Sequence, residues 1–215
     1  MYSYPFSEAA PLWNALFQTL LLLFCPLVLS LIGGFFLGPI LYFSDNPLSS
    51  RHHASAGWLR ILLFPFHGFP FIGLLSLLIL LIKQLTGMMD GALLFILLTL
   101  GGIVHFSMML KNAMEDVNPQ VVDAAKAAGL SQRQIAYRIL LPESERRLLH
   151  GACETAVFLL AAGAVSGSII GGGLTGLAFQ TSAITPDADI VWFCSLLMAI
   201  LFVLFKAWAS QLAKK

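Results

Sequence analysis

Val121-Val122-Asp123-Ala124-Ala125-Lys126-Ala127-Ala128-Gly129, followed after nine residues by Ile139-Leu140-Leu141-Pro142, is a polar island between long apolar runs. Asn118-Pro119 reads as a helix start, because Asn accepts from orphan N–H groups and Pro in the first turn sacrifices no bond. Ala124, Ala125, Ala127 and Ala128 follow. Alanine favours helix and leaves almost no bulk, so another protein could approach this rod closely. Gly129 stops it. Ser131 and Gln134 then carry the spacing of a capping box, and Ile135 and Ile139 follow at helical spacing, which starts a second short helix. That helix is predicted to end near Leu141, since Pro142 restricts the residue before it and cannot donate a bond. The product is a compact water-side helix pair within a loop running from 111 to 149.

Around the island the composition is that of a bilayer protein. Of 215 residues 58% are hydrophobic and 11% charged, with a mean hydropathy of +0.85. Soluble domains carry roughly a quarter charged residues, so residues 1–215 are read as a single all-α, polytopic transmembrane domain. Met1 to Asn14 lacks a basic stretch and does not resemble a cleaved signal peptide. Cys25, Cys153 and Cys194 lie in or beside apolar runs without paired spacing and read as small buried hydrophobes.

Five spans are expected. Ala15 to Phe43 is the first, with a kink expected at Pro26 and a Gly33-Gly34 pair that lets a neighbouring helix come close. The polar loop Ser44 to Arg60 follows, in which His52-His53 reads as a solvated pair. Ile61 to Ile82 is the second span; its Pro65 and Pro70 free carbonyls that must be satisfied inside protein or by water, so this face is expected to look inward. His67 in this span, and His105 in the third span from Ala92 to Leu110, read as packing or interfacial residues. Leu149 to Ile170 is the fourth, rich in Ala, Gly and Ser, which suits a dimer axis or a narrow pathway. Gly171-Gly172-Gly173-Leu174-Thr175-Gly176 breaks it, an irregular loop runs to Asp189, and Ile190 to Ala209 is the fifth.

Charge placement gives the orientation. With the island inside the cell, only Lys83 of the 12 basic residues lies outside, so the N-terminus faces out and the C-terminus in. Glu154 is the one carboxylate away from loops and membrane ends. It sits roughly 10 Å along a helix from Arg147, where a salt bridge or a watered inner vestibule accounts for it. A proton- or sodium-driven carrier would have little to titrate, and no G-x-x-x-x-G-K-[ST] loop is present to cradle a nucleotide. Energy is therefore expected to enter through the island. A passive channel or scaffold is the reading from another class. An intramembrane protease using Ser166 and His105 has no framing motif.

At this point the chain resembles the permease subunits of bacterial ABC importers. Their signature is E-A-A, three residues, Gly, nine residues, then I-x-L-P; Asp123-Ala124-Ala125, Gly129 and Ile139-Leu140-Leu141-Pro142 match it, with Asp for Glu. Within that family the chain is similar to the methionine-type permeases, in Phe69-Pro70-Phe71-Ile72, Lys111-Asn112-Ala113, Leu140-Leu141-Pro142-Glu143 and Ile170-Gly171-Gly172-Gly173-Leu174. It departs from them at Thr175, inserted into the usual G-G-L-G, and at Glu145-Arg146-Arg147. Short glycine betaine permeases share the island and remain the alternative.

The resemblance implies a type I ABC importer permease in the bacterial inner membrane, with no catalytic residue or cofactor of its own. A small amino acid such as methionine would cross by alternating access. Partners would be a second copy of the chain, two subunits that bind ATP and Mg, and a binding lipoprotein or periplasmic protein. Asp123, Ala124, Ala125, Gly129, Ile139, Leu141 and Pro142 would couple to the ATPase, and Val165 with Gly163, Ser166 and Pro70 would line the gate.

Overall fold

In a bilayer every backbone N–H and C=O must be satisfied within the protein, which leaves helices for a sequence of this apolarity. The structure, a computed structural model, describes residues 9–45, 91–170, 172–184 and 188–214 and six isolated helical positions between 73 and 84; no strand occurs among them. The loop from 46 onward with His52 and His53, and most of the expected second span with His67 and Pro70, lie outside the described residues.

Helix α1 runs over Ala9–Asp45, α2 over Gly91–Glu115, α3 over Pro119–Ala127 and α4 over Gln132–Ile135. A π-helical turn, Ala136–Leu140, leads into α5, Leu141–Glu143. Helix α6 covers Glu145–Ile170, α7 Gly173–Ile184 and α8 Ala188–Lys214. Among the described residues four apolar stretches are long enough to cross a membrane, Leu12–Ser44, Leu94–Glu115, Glu145–Ala183 and Ala188–Gln211. They correspond to the first, third, fourth and fifth expected spans.

Contacts along the helices fix their directions. Ser30 Oγ donates to Thr99 O at 3.1 Å, a Cβ on Gly34 would lie 2.7 Å from Phe106, and one on Gly38 would lie 2.6 Å from Leu110. Rising numbers meet rising numbers, so α1 and α2 run parallel and end on the same side, where α3 begins. The small residues of α1 act as expected, letting the backbones meet where a side chain would hold them apart. On α6, Gly151 meets Met109 while Thr155 Oγ1 lies 3.1 Å from His105 Nδ1, so α6 runs back antiparallel to α2. Helix α8 returns beside α6, with His150 against Ala209 and Glu154 against Lys206.

Three expectations are corrected. Residues 173 to 184 form a helix, α7, where an irregular loop was expected. Its first N–H groups are capped from a distant part of the chain: Gly173 N donates to Gln18 Oε1 at 3.2 Å and Leu174 N to Thr19 Oγ1 at 2.9 Å. Gly173 itself takes a φ of +69°, which a side chain would resist. Second, Pro142 does not stop the helix before it. The π turn ahead of it, in which Leu141 N reaches Ala136 O, widens the coil where the proline ring would otherwise strike a carbonyl, and helix continues to Glu143. Third, Cys25 is exposed on α1, while Cys153 and Cys194 are buried.

Candidate coupling site

The island is a lever with a built seat. Asn118 caps α3, its Oδ1 accepting from Gln120 N at 3.0 Å with Pro119 in the first turn. The other end closes as a Schellman motif: Leu130 N donates to Ala125 O at 3.2 Å, Gly129 N donates to Lys126 O at 2.9 Å, and Gly129 takes a φ of +77°. The capping box at α4 forms as expected, with Ser131 N donating to Gln134 Oε1 at 2.9 Å and Gln134 N to Ser131 Oγ at 3.4 Å. Nothing lies within 4 Å of a Cβ built on Gly129. Gly129→Ala therefore tests backbone strain alone, and it is expected to cost about 1 kcal/mol, read as faster amide hydrogen exchange across 119–135.

Beneath the lever, Tyr42 of α1, Leu110 and Met114 of α2, Val122 and Ala125 of α3, Ile135 of α4, and Leu140 and Leu141 form one buried cluster. Phe35 of α1 packs at a tilt against Tyr137, with 5.8 Å between ring centroids. At 1.5 Å per residue, the 37 residues of α1 extend roughly 55 Å, well beyond the ~30 Å of a hydrocarbon core, and the excess braces the lever. The Arg147–Asp116 ion pair ties the start of α6 to the end of α2. A close-packed cluster transmits displacement with little give, so movement of α3 is movement of α1, α2 and α6.

The expected coupling residues divide into two faces. Asp123, Ala124, Gly129 and Pro142 are exposed, with Ala127 and Ala128 beside them. Ala125 and Leu141 are buried in the seat and Ile139 packs against it, so these three hold the lever from within. Asp123 is 71% exposed on the open face and pairs with Lys126 at 3.5 Å. Tyr42, Phe35 and Tyr137, which brace the lever, went unnoticed in the sequence. Aromatic residues at the end of a span otherwise read as interfacial anchors.

The expected gate residues lie on α6, apart from Pro70, which falls outside the described residues. A Cβ on Gly163 would meet nothing within 4 Å, and Val165 is half-buried. Ser166 is fully buried and donates to Ala162 O at 2.7 Å, so it faces into the helix bundle. Ser166 stands eleven residues beyond Thr155, the partner of His105, or roughly 16 Å along the helix. The serine and histidine that a protease would need do not meet. Glu154 is held by Lys206 Nζ at 2.7 Å, the salt bridge expected for it.

A family model described as binding-protein-dependent transport system inner membrane component matches residues 21–215. The methionine import system permease protein MetP of Bacillus subtilis is 27% identical over 199 residues, covering 92% of this chain and 90% of that protein. A probable D-methionine transport system permease protein, MetI of Pasteurella multocida, is 28% identical over 147 residues, 68% of each. Among solved structures, an inward-facing MetNI methionine ABC transporter superposes with a TM-score of 0.84 at 23% identity, covering 98% of each chain. An amino acid ABC transporter with histidines gives 0.70 at 18% identity, again over 98% of each.

Proposed function

The chain belongs to the family of binding-protein-dependent transport system inner membrane components, and from that premise we propose that it is the permease of an ATP-driven importer for methionine. The observation that carries the substrate is the match to a methionine import permease along 90% of that protein's length. Two copies of the chain would enclose the path, and an ATP-hydrolysing subunit carrying ATP and Mg would dock on each lever at Asp123 and Ala124. A binding lipoprotein or periplasmic protein would deliver substrate at the far end.

The lever end of the helices carries Lys111, Lys126, Arg133, Arg138, Arg146, Arg147 and Lys206, and the positive-inside rule puts that end in the cytoplasm. The N-terminus then faces out. Closure of the ATP-bound subunits would draw the two levers together, and the rigid seat would convert this into rotation of α1, α2 and α6, opening the path outward. Val165 with Gly163 on α6 would narrow that path between the copies.

The test is reconstitution of the chain with its co-purifying ATP-binding subunit. Methionine with its binding protein is expected to raise ATP hydrolysis and to accumulate inside vesicles only when ATP is present. Accumulation of glycine betaine with methionine ignored would overturn the substrate. Methionine flux without any ATP-binding subunit would overturn the importer reading in favour of a channel.

A further inference from the structure

Helices α6 and α8 carry an ion pair that the coupling scheme leaves unused. Lys206 Nζ donates to Glu154 Oε1 at 2.7 Å, and His150 Nε2 lies 3.9 Å from the same oxygen while its Nδ1 lies 3.2 Å from Ala209 O. The pair is not sealed inside the protomer, for the Glu154 and Lys206 side chains remain 25% and 53% exposed. From Glu154 the same stripe of α6 continues through Phe158, Ala161 and Val165, at steps of four, three and four residues. Ala161 is exposed.

Charges that open onto hydrocarbon are costly, whereas an open pair in a watered cleft is ordinary. Both residues stand toward the lever end of their helices, so the open pair meets water at the inner mouth of the path, and the stripe through Ala161 leads inward from it. We propose that Glu154 and Lys206 form a subsite for the passing zwitterion, an inference that rests on the import reading above. Lys206 takes the carboxylate of an α-amino acid and Glu154 its ammonium. One internal ion pair is exchanged for two with the ligand, and no charge is left alone at any stage. Because the empty site satisfies itself, binding stays weak enough for release, as conduction requires. The small Ala161 leaves room for the substrate's side chain.

The test is thiol labelling of the assembled importer in lipid nanodiscs, with Cys25, Cys153 and Cys194 replaced by Ala and Ala161→Cys as the reporter. A membrane-impermeant maleimide is expected to label the reporter, and methionine at ten times its dissociation constant to slow labelling about tenfold. Glu154→Gln and Lys206→Met are each expected to abolish that protection. The exchange Glu154→Lys with Lys206→Glu keeps a pair across the helices and should leave the reporter reactive, which controls for folding. An unreactive reporter, or protection that survives both neutralisations, overturns the subsite. Protection by glycine betaine but not methionine, lost in the same variants, sustains the subsite and overturns methionine as substrate. Normal ATP-driven methionine uptake without protection overturns the subsite and leaves the import reading standing.

Discussion

Ala125→Glu is expected to abolish ATP-coupled uptake by unseating the lever, whereas Ala124→Glu is expected to abolish it with the lever still seated. The two alanines are neighbours on α3, one turned into the seat and the other to solvent. Ala125 is 6% exposed within the cluster formed with Tyr42, Leu110, Met114 and Ile135. A carboxylate placed there enters a cluster of apolar side chains and the Tyr42 ring. The effective penalty for a buried unpaired charge is several kcal/mol, a large share of the roughly 5–15 kcal/mol that holds a domain together. Helix α3 would lift to bring the charge to water, and the amides of 119–140 would lose hydrogen-exchange protection. Ala124 is exposed, so a Glu there stays solvated in a helix that favours it, and stability should change by no more than about 0.5 kcal/mol. What it does is place a long charged side chain where a bulk-free surface meets the partner. Co-purification of the ATP-binding subunit should fail in both variants, with exchange protection intact only in Ala124→Glu. Normal coupled uptake in either would end the case for the island as the coupling element.

This division of the lever shows where the sequence was legible. Local chemistry announces itself: Asn118-Pro119, the Ser131/Gln134 box and Gly129 each satisfy backbone groups a few residues away, and each forms as read. The four expected spans that fall among the described residues were equally plain, because twenty apolar residues in a row have few other uses. What depends on distant partners was not. Helix α7 begins where it does because Gln18 and Thr19, 155 residues earlier, take its first N–H groups, and nothing near Gly173 says so. Pro142 looked like a stop because the rule for proline assumes an α-helical approach. The π turn changes that approach, and nothing in the local residues marks such a turn. The candidate site was legible as a motif but not as a solid. The motif residues do not reveal that Ala125 and Leu141 face inward while Asp123 and Ala124 face out, because that is settled by Tyr42 and Leu110 from other helices.

Gly102→Val is expected to lower the thermal midpoint of the purified chain in detergent by about 10 °C, the second large effect. A Cβ at Gly102 would overlap Ser30 Oγ and come within 3.2 Å of Leu159. Ser30 is fully buried and donates to Thr99 O, so it has no room to retreat. Helix α1 would have to leave α2, breaking that bond and opening the contacts at Gly34 and Gly38 further along the same seam. Overpacking of this kind costs about 1–3 kcal/mol, and a chain of this length loses roughly 2–4 °C per kcal/mol. Gly163→Ala, where open space awaits the methyl, should hold or slightly raise the midpoint, since alanine is the better helix former. The decisive variant is the exchange Gly102→Ser with Ser30→Gly, which carries the hydroxyl across the seam without adding volume. Most of the lost stability should return with it. If the exchange is as damaging as Gly102→Val, crowding at this crossing is not the cause and close approach of α1 to α2 is not what holds the lever's two supports together. If stability returns, coupled uptake should return too, because the seat under α3 is built from the ends of those same two helices.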